Sequence, residues 1–190
     1  MGCTDGIIKG MISNCTTTPA GGAEVKAWMV NRSEITFTYD GTTPNKITAA
    51  VMATGKQAWP ILGVKDLHNG GFDGVMSNNR PDRYTHMFAT EGFEIDAESL
   101  LNMDNANDVV VIVERKNKGV DGGGAFIVLG AKNGLYKSAD SSKLLDADGA
   151  RPMEWTSMET APEPYSFYVF DAGSYADTLA AIEALETPAT

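Results

Sequence analysis

Val109-Val110-Val111-Ile112-Val113, Ala125-Phe126-Ile127-Val128-Leu129 and Tyr165-Ser166-Phe167-Tyr168-Val169-Phe170 decide the reading of this chain. The three runs are β-branched or aromatic almost throughout, five or six residues long, and flanked by Gly, Asn, Asp or Pro, which predicts central strands buried on both faces. So much sequence spent on buried strands, with no catalytic cluster beside them, points to a structural or assembly unit and away from an enzyme.

Working outward, 23–31 and 34–39 alternate polar with apolar residues, with Ile35, Phe37 and Tyr39 on one face, and 46–52 follows a Thr-Thr-Pro-Asn turn. These three segments are expected to form an antiparallel meander with one wet face. Tyr84 to Ile95 is the longest strand candidate and has no cleanly apolar face, as a strand shared between subunits would. Asp96 caps a short helix through Met103, 116–124 is a hairpin loop, Arg151 to Met158 leads toward the last strand, and Ser174 caps a closing helix. In that helix Tyr175, Leu179, Ile182 and Leu185 form one stripe. The expected class is α+β, mostly antiparallel, with two flanking helices. Residues 1–22 read as a flexible arm and 23–190 as a single domain.

Residues 54–81 read as a long Gly-rich loop with apolar residues set singly along it. Loops of this length are uncommon in compact domains unless they are functional or mobile. Trp59, Leu62, Phe72 and Met76 are therefore candidate subunit-interface residues, and the partner they imply is another copy of the chain.

The 190 residues carry 15 Lys plus Arg against 25 Asp plus Glu, a formal charge of -10. Such a surface disfavours binding to DNA or anionic lipid, both of which need clustered cations. Cys3 and Cys15 are the only cysteines, and they could pair or remain as two free thiols, the second being expected in a reducing cytoplasm. The start lacks the pattern of a secretory signal, and no apolar run approaches the length of a membrane span, so a soluble cytoplasmic product is expected, with no membrane partner.

Sites for chemistry are poorly supported. Gly122 to Gly124 lacks the GK[ST] ending of a phosphate loop and reads as a hairpin tip. Around Asp146-Ala147-Asp148-Gly149, Leu144 and Trp155 stand where a calcium loop needs ligands. His68 and His86 match no zinc spacing with Cys3 and Cys15, and no G-x-S-x-G occurs. Glu91, Glu94, Glu98, Glu154 and Glu159 lie spread along wet faces, while Trp28, Trp59 and Trp155 read as core or interface anchors. No catalytic residue, metal site or cofactor is expected.

One ordered set of segments carries a family likeness. Arg83-Tyr84-Thr85-His86 opens a long strand and a short helix follows; then come Val110-Val111-Ile112-Val113-Glu114, a Gly-rich hairpin, Phe126-Ile127-Val128-Leu129-Gly130 and Gly134-Leu135. Thr156-Ser157-Met158-Glu159, then Pro164 with an aromatic strand and a C-terminal helix, complete the order. Together with a Cys-containing N-terminus, Gly21-Gly22 and Ala27-Trp28-Met29-Val30-Asn31, it resembles the tail-tube-type virion proteins of tailed phages infecting Bacteroides-like gut bacteria. The resemblance implies a β-sandwich or barrel protomer assembling as a ring, usually hexameric, whose rings stack into a tube that conducts the genome without binding it specifically. Its other partners would be virion tail or connector proteins, and its place the virion, assembled in the host cytoplasm. A head-to-tail connector or tail terminator ring is the alternative within assembly proteins. A secreted β-sandwich carbohydrate-binding module or enzyme is the alternative from another class.

Overall fold

The computed structural model describes residues 22–62, 68–77, 80–92, 97–118, 122–140 and 151–189. Eleven strands and two helices are described. They are β1 (Ala23–Asn31), β2 (Ile35–Tyr39), β3 (Lys46–Met52), β4 (Trp59–Leu62), β5 (Asn69–Ser77), β6 (Arg80–Gly92), α1 (Ala97–Asn105), β7 (Val109–Arg115), β8 (Phe126–Leu129), β9 (Tyr136–Asp140), β10 (Arg151–Thr156), β11 (Tyr168–Phe170) and α2 (Tyr175–Ala184). They build a seven-stranded sheet in the order β2-β3-β11-β8-β7-β1-β4 and a four-stranded sheet in the order β5-β6-β10-β9. Every pairing is antiparallel except β11 with β3. The class is α+β, with β-sandwich-like sheets.

Two of the apolar runs form strands buried on both faces, β7 and β8, whereas only Tyr168–Phe170 of the third is strand, with Val169 part-exposed between buried Tyr168 and Phe170. In β7 and β8 successive side chains point to opposite faces, and both faces are buried. Trp28, Val30, Val110, Ile112, Phe126 and Val128 join Ile182 and Leu185 in one core, so α2 covers that face. Met29, Val109, Val111, Val113, Ile127 and Leu129 join Phe88, Met153 and Trp155 in the other, so the four-stranded sheet covers the second face. The expected stripe of α2 holds: Tyr175 and Leu179 are partly buried against the same core, and Ser174 caps the helix by accepting from the Asp177 N–H.

The two sheets cross steeply. Along β6, Thr90 hydrogen-bonds to His68, whose other ring nitrogen meets the Ile61 carbonyl in β4. Gly70, paired with Phe88, lies against Leu129 of β8. His86 reaches Gly130, and Tyr84 pairs with Glu163 beside the β11 approach. β6 therefore runs across the strands of the large sheet, from the β4 side past the end of β8 toward the segment that leads into β11.

Three sequence expectations need correction. β1 does not enter a meander with β2 and β3; it pairs with β7 and β4, because its apolar residues on both faces complete the two-sided core. The 54–81 segment is not one long loop, since β4 and β5 lie within it; glycines at 70, 71 and 74 hid the alternation of β5. Tyr136–Asp140, for which no strand was expected, is β9, paired with β10. The N-terminal arm through residue 21, Cys3, Cys15, Glu94, Asp146 and Asp148 lie outside the described residues.

Candidate assembly surfaces

The leads for chemistry resolve into structural ties. His86 is fully buried; its Nε2 lies 2.8 Å from the Tyr165 carbonyl, and its Nδ1 accepts from the Gly130 N–H at 3.1 Å. His68 bridges the Ile61 carbonyl and the Thr90 hydroxyl. Burial pushes the pKa of both imidazoles down, so both are neutral at pH 7. The Glu163 carboxyl is fully buried too, accepting from the Lys132 and Asn133 N–H groups and the Tyr168 hydroxyl, and burial raises its pKa. Trp28 and Trp155 are core residues, with indole N–H groups satisfied by Glu186 and by the Ala106 carbonyl. Gly122 to Gly124 lie at the β7–β8 connection, where Gly122 has φ +76° and packs against Tyr175. Among the described residues no group of His, Cys, Asp and Glu could hold a metal ion, and no helix is long and apolar enough to cross a membrane.

The interface candidates separate. Trp59 and Leu62 sit on β4, the outermost strand of the large sheet, with 51% and 72% of their surface exposed. Phe72 lies on β5 but spends much of its ring within the chain, edge-on to Phe167 at 4.7 Å and to Tyr84 at 5.4 Å. Met76 is also in β5, and its side chain lies outside the described residues.

Two features escaped the sequence reading. One is a ribbon: β6 pairs with β10 only over Met87–Gly92, while the β5–β6 ladder runs on to Ser77 and Arg80. Past Tyr84 this two-stranded stretch has no further strand partner among the described residues, and it carries exposed Val75 and Arg83. A Ser-Asn-Asn turn signal at 77–79 was available to find it. The other is a groove of about 260 Å³ between β4 and α1, floored by Met29 and Val109 and walled by Trp59, Pro60 and Met103, with Asn31, Asn102 and Asn105 at its rim. Nothing local in sequence marks it, because its walls are far apart along the chain.

Among the described residues the four-stranded sheet is open at both edges, β5 and β9. β9 is short and carries Lys137 and Asp140; β5 is nine residues long, with one charge, Asp73, and no proline. Its outer face, given by the register of Asp73, Thr85, Met87, Ala89, Glu91, Glu154 and Thr156, bears three carboxylates against one cation, Arg83. Compared with protein-family models, with curated proteins and with solved structures, the chain matches none of them.

Proposed function

We propose that this chain is a structural virion protein of tail-tube type, whose copies join edge to edge into rings that stack as a conduit for the genome. The observation that carries the reading is the four-stranded sheet, whose two edges have no strand partner among the described residues, the longer of them bearing a single charge, Asp73, and no proline to blunt it. Joining β5 of one copy to β9 of the next continues the sheet through a ring and leaves no edge free. The acidic outer face would then line the lumen, where it repels phosphate instead of holding it. The contact is heterologous, so repetition closes a ring or propagates a filament.

The test is the assembly state of the purified full-length chain, by light scattering over a wide concentration range with negative-stain electron microscopy. Rings or tubes are expected, with more than about 2,000 Å² buried at each subunit contact. A strict monomer at millimolar concentration would sink the proposal. Single rings that cap preformed tubes would favour the terminator role.

A further inference from the structure

We infer that the groove between β4 and α1 binds a single neutral sugar ring, a hexose or N-acetylhexosamine unit, stacked on Trp59 and hydrogen-bonded by Asn31, Asn102 and Asn105. Neither β5 nor β9, the strands of the ring contact proposed above, lines this groove, so the inference stands apart from that reading.

The register of β4 on β1 sets Trp59 opposite Met29, and cross-strand partners share a face of the sheet. Met29 and Val109 are buried there as the floor, while Trp59 keeps 51% of its surface exposed. Pro60 follows it and fixes the backbone beside the indole. The last turns of α1 supply the other wall. Asn102 and Asn105 are three residues apart, so both carboxamides lie on one face of the helix and reach the rim. This end of the helix is fastened, because the Trp155 indole N–H donates to the Ala106 carbonyl at 2.8 Å and Lys137 Nζ donates to the Met103 carbonyl. At the end of β1, Asn31 Nδ2 donates to Glu34 at 3.0 Å, which leaves its Oδ1 as an acceptor.

The lining holds no charged side chain, in a protein with a formal charge of -10. Asp104, on the same helix, is committed to Arg151 at 2.6 Å, and Glu34 to Lys56 at 2.7 Å. An ionic ligand would find no counter-charge here. A wholly aliphatic one would strip water from three carboxamides without replacing their hydrogen bonds. A sugar ring meets both demands: one face is C–H, which suits the electron-rich face of an indole, and its edge carries hydroxyls that donate and accept as carboxamides do. At about 260 Å³ the groove falls just below the ~300–1,000 Å³ of drug-sized sites, which is the scale of one ring and not of a chain. Its fastened walls lower the ordering cost of binding.

The experiment titrates the full chain with the methyl glycosides of glucose, galactose, mannose and N-acetylglucosamine, read by acrylamide quenching of tryptophan emission. Trp28 and Trp155 are fully buried, so the quenchable emission belongs to Trp59. At least one glycoside should protect it saturably, with a Kd that does not change between about 0.05 and 0.5 M salt. By titration calorimetry Trp59→Ala and Asn102→Ala should each weaken binding at least about tenfold, with circular dichroism to verify folding. Leu62→Ala, on the same strand but outside the groove, should leave binding unchanged. No saturable protection by any glycoside, equal loss in the Leu62 variant, or tighter binding of glucuronate or a free nucleoside would overturn the site. Loss of Trp59 quenching on self-association alone would show that a second copy fills the groove, and the inference would fail.

Discussion

Replacing Phe88 by Ala tests whether the two sheets are one cooperative structure. Phe88 is fully buried between them, 6.2 Å by ring centroids from Trp155 and 5.7 Å from His68. The ring fills space against Gly70, where a Cβ would already stand 3.0 Å from Leu129 Cδ1, so little nearby backbone can move in to fill the void. A buried Phe→Ala change costs about 3–5 kcal/mol. For a domain of this size each kcal/mol lowers Tm by roughly 2–4 °C, so a fall of about 6–20 °C is expected. The two cores each hold one buried tryptophan, Trp28 under α2 and Trp155 under the small sheet. In a Trp59→Phe background, urea unfolding followed with only Trp28 or only Trp155 present reports the two faces separately. Both reporters should shift together to lower urea. If the Trp155 transition moves while that of Trp28 stays, the small sheet unfolds on its own and the two sheets are not one cooperative structure.

Stability should fall as pH drops below about 6.5, the unfolded histidine value, because His68 and His86 take up protons more readily in the unfolded chain, with a slope of up to about 1.4 kcal/mol per pH unit for each. Glu163 acts in the opposite sense: its raised pKa adds stability as pH falls through its folded value, full below the unfolded carboxyl value, and His86→Gln, which leaves His68 in place, should make the fall in stability between pH 7 and 5 shallower in urea titrations. Gly134→Ala is expected to cost at least about 2 kcal/mol by the same assay, since φ is +79° and a Cβ would collide with Asp108, which holds Arg32 at 2.6 Å; a change under about 0.5 kcal/mol would refute this. The free protein should show no measurable duplex DNA binding near 0.15 M salt, and micromolar affinity that weakens steeply with salt would count against the conduit reading.

β7 and β8 were legible because their composition admits only one environment: the run Val109–Val113 in β7 and the all-apolar β8 have no wet face to offer. The closing helix was legible for the related reason that its stripe has a single period. β5 was not, because glycine contributes nothing to a pattern of alternating side chains, and Asn69-Gly70-Gly71 looks like a turn until β6 pairs with it. β1 was misjudged for the opposite reason: Trp28, Met29 and Val30 are consecutive and all buried, which half-wet alternation cannot describe. Of the four interface candidates, Trp59 and Leu62 are exposed at an edge, and Phe72 is partly exposed on β5 while also packing edge-on to Phe167.

What the sequence by itself determined is local: which segments must be buried, where helix α2 starts, and that the surface is acidic. Each follows from the free energy of single residues or short repeats in water. The tertiary structure decided which strands are neighbours, which edges have no partner among the described residues, and that β4 and α1 meet around a groove. Those depend on contacts between residues far apart in the chain, such as Trp28 with Glu186 or His86 with Gly130, whose energies no local window contains.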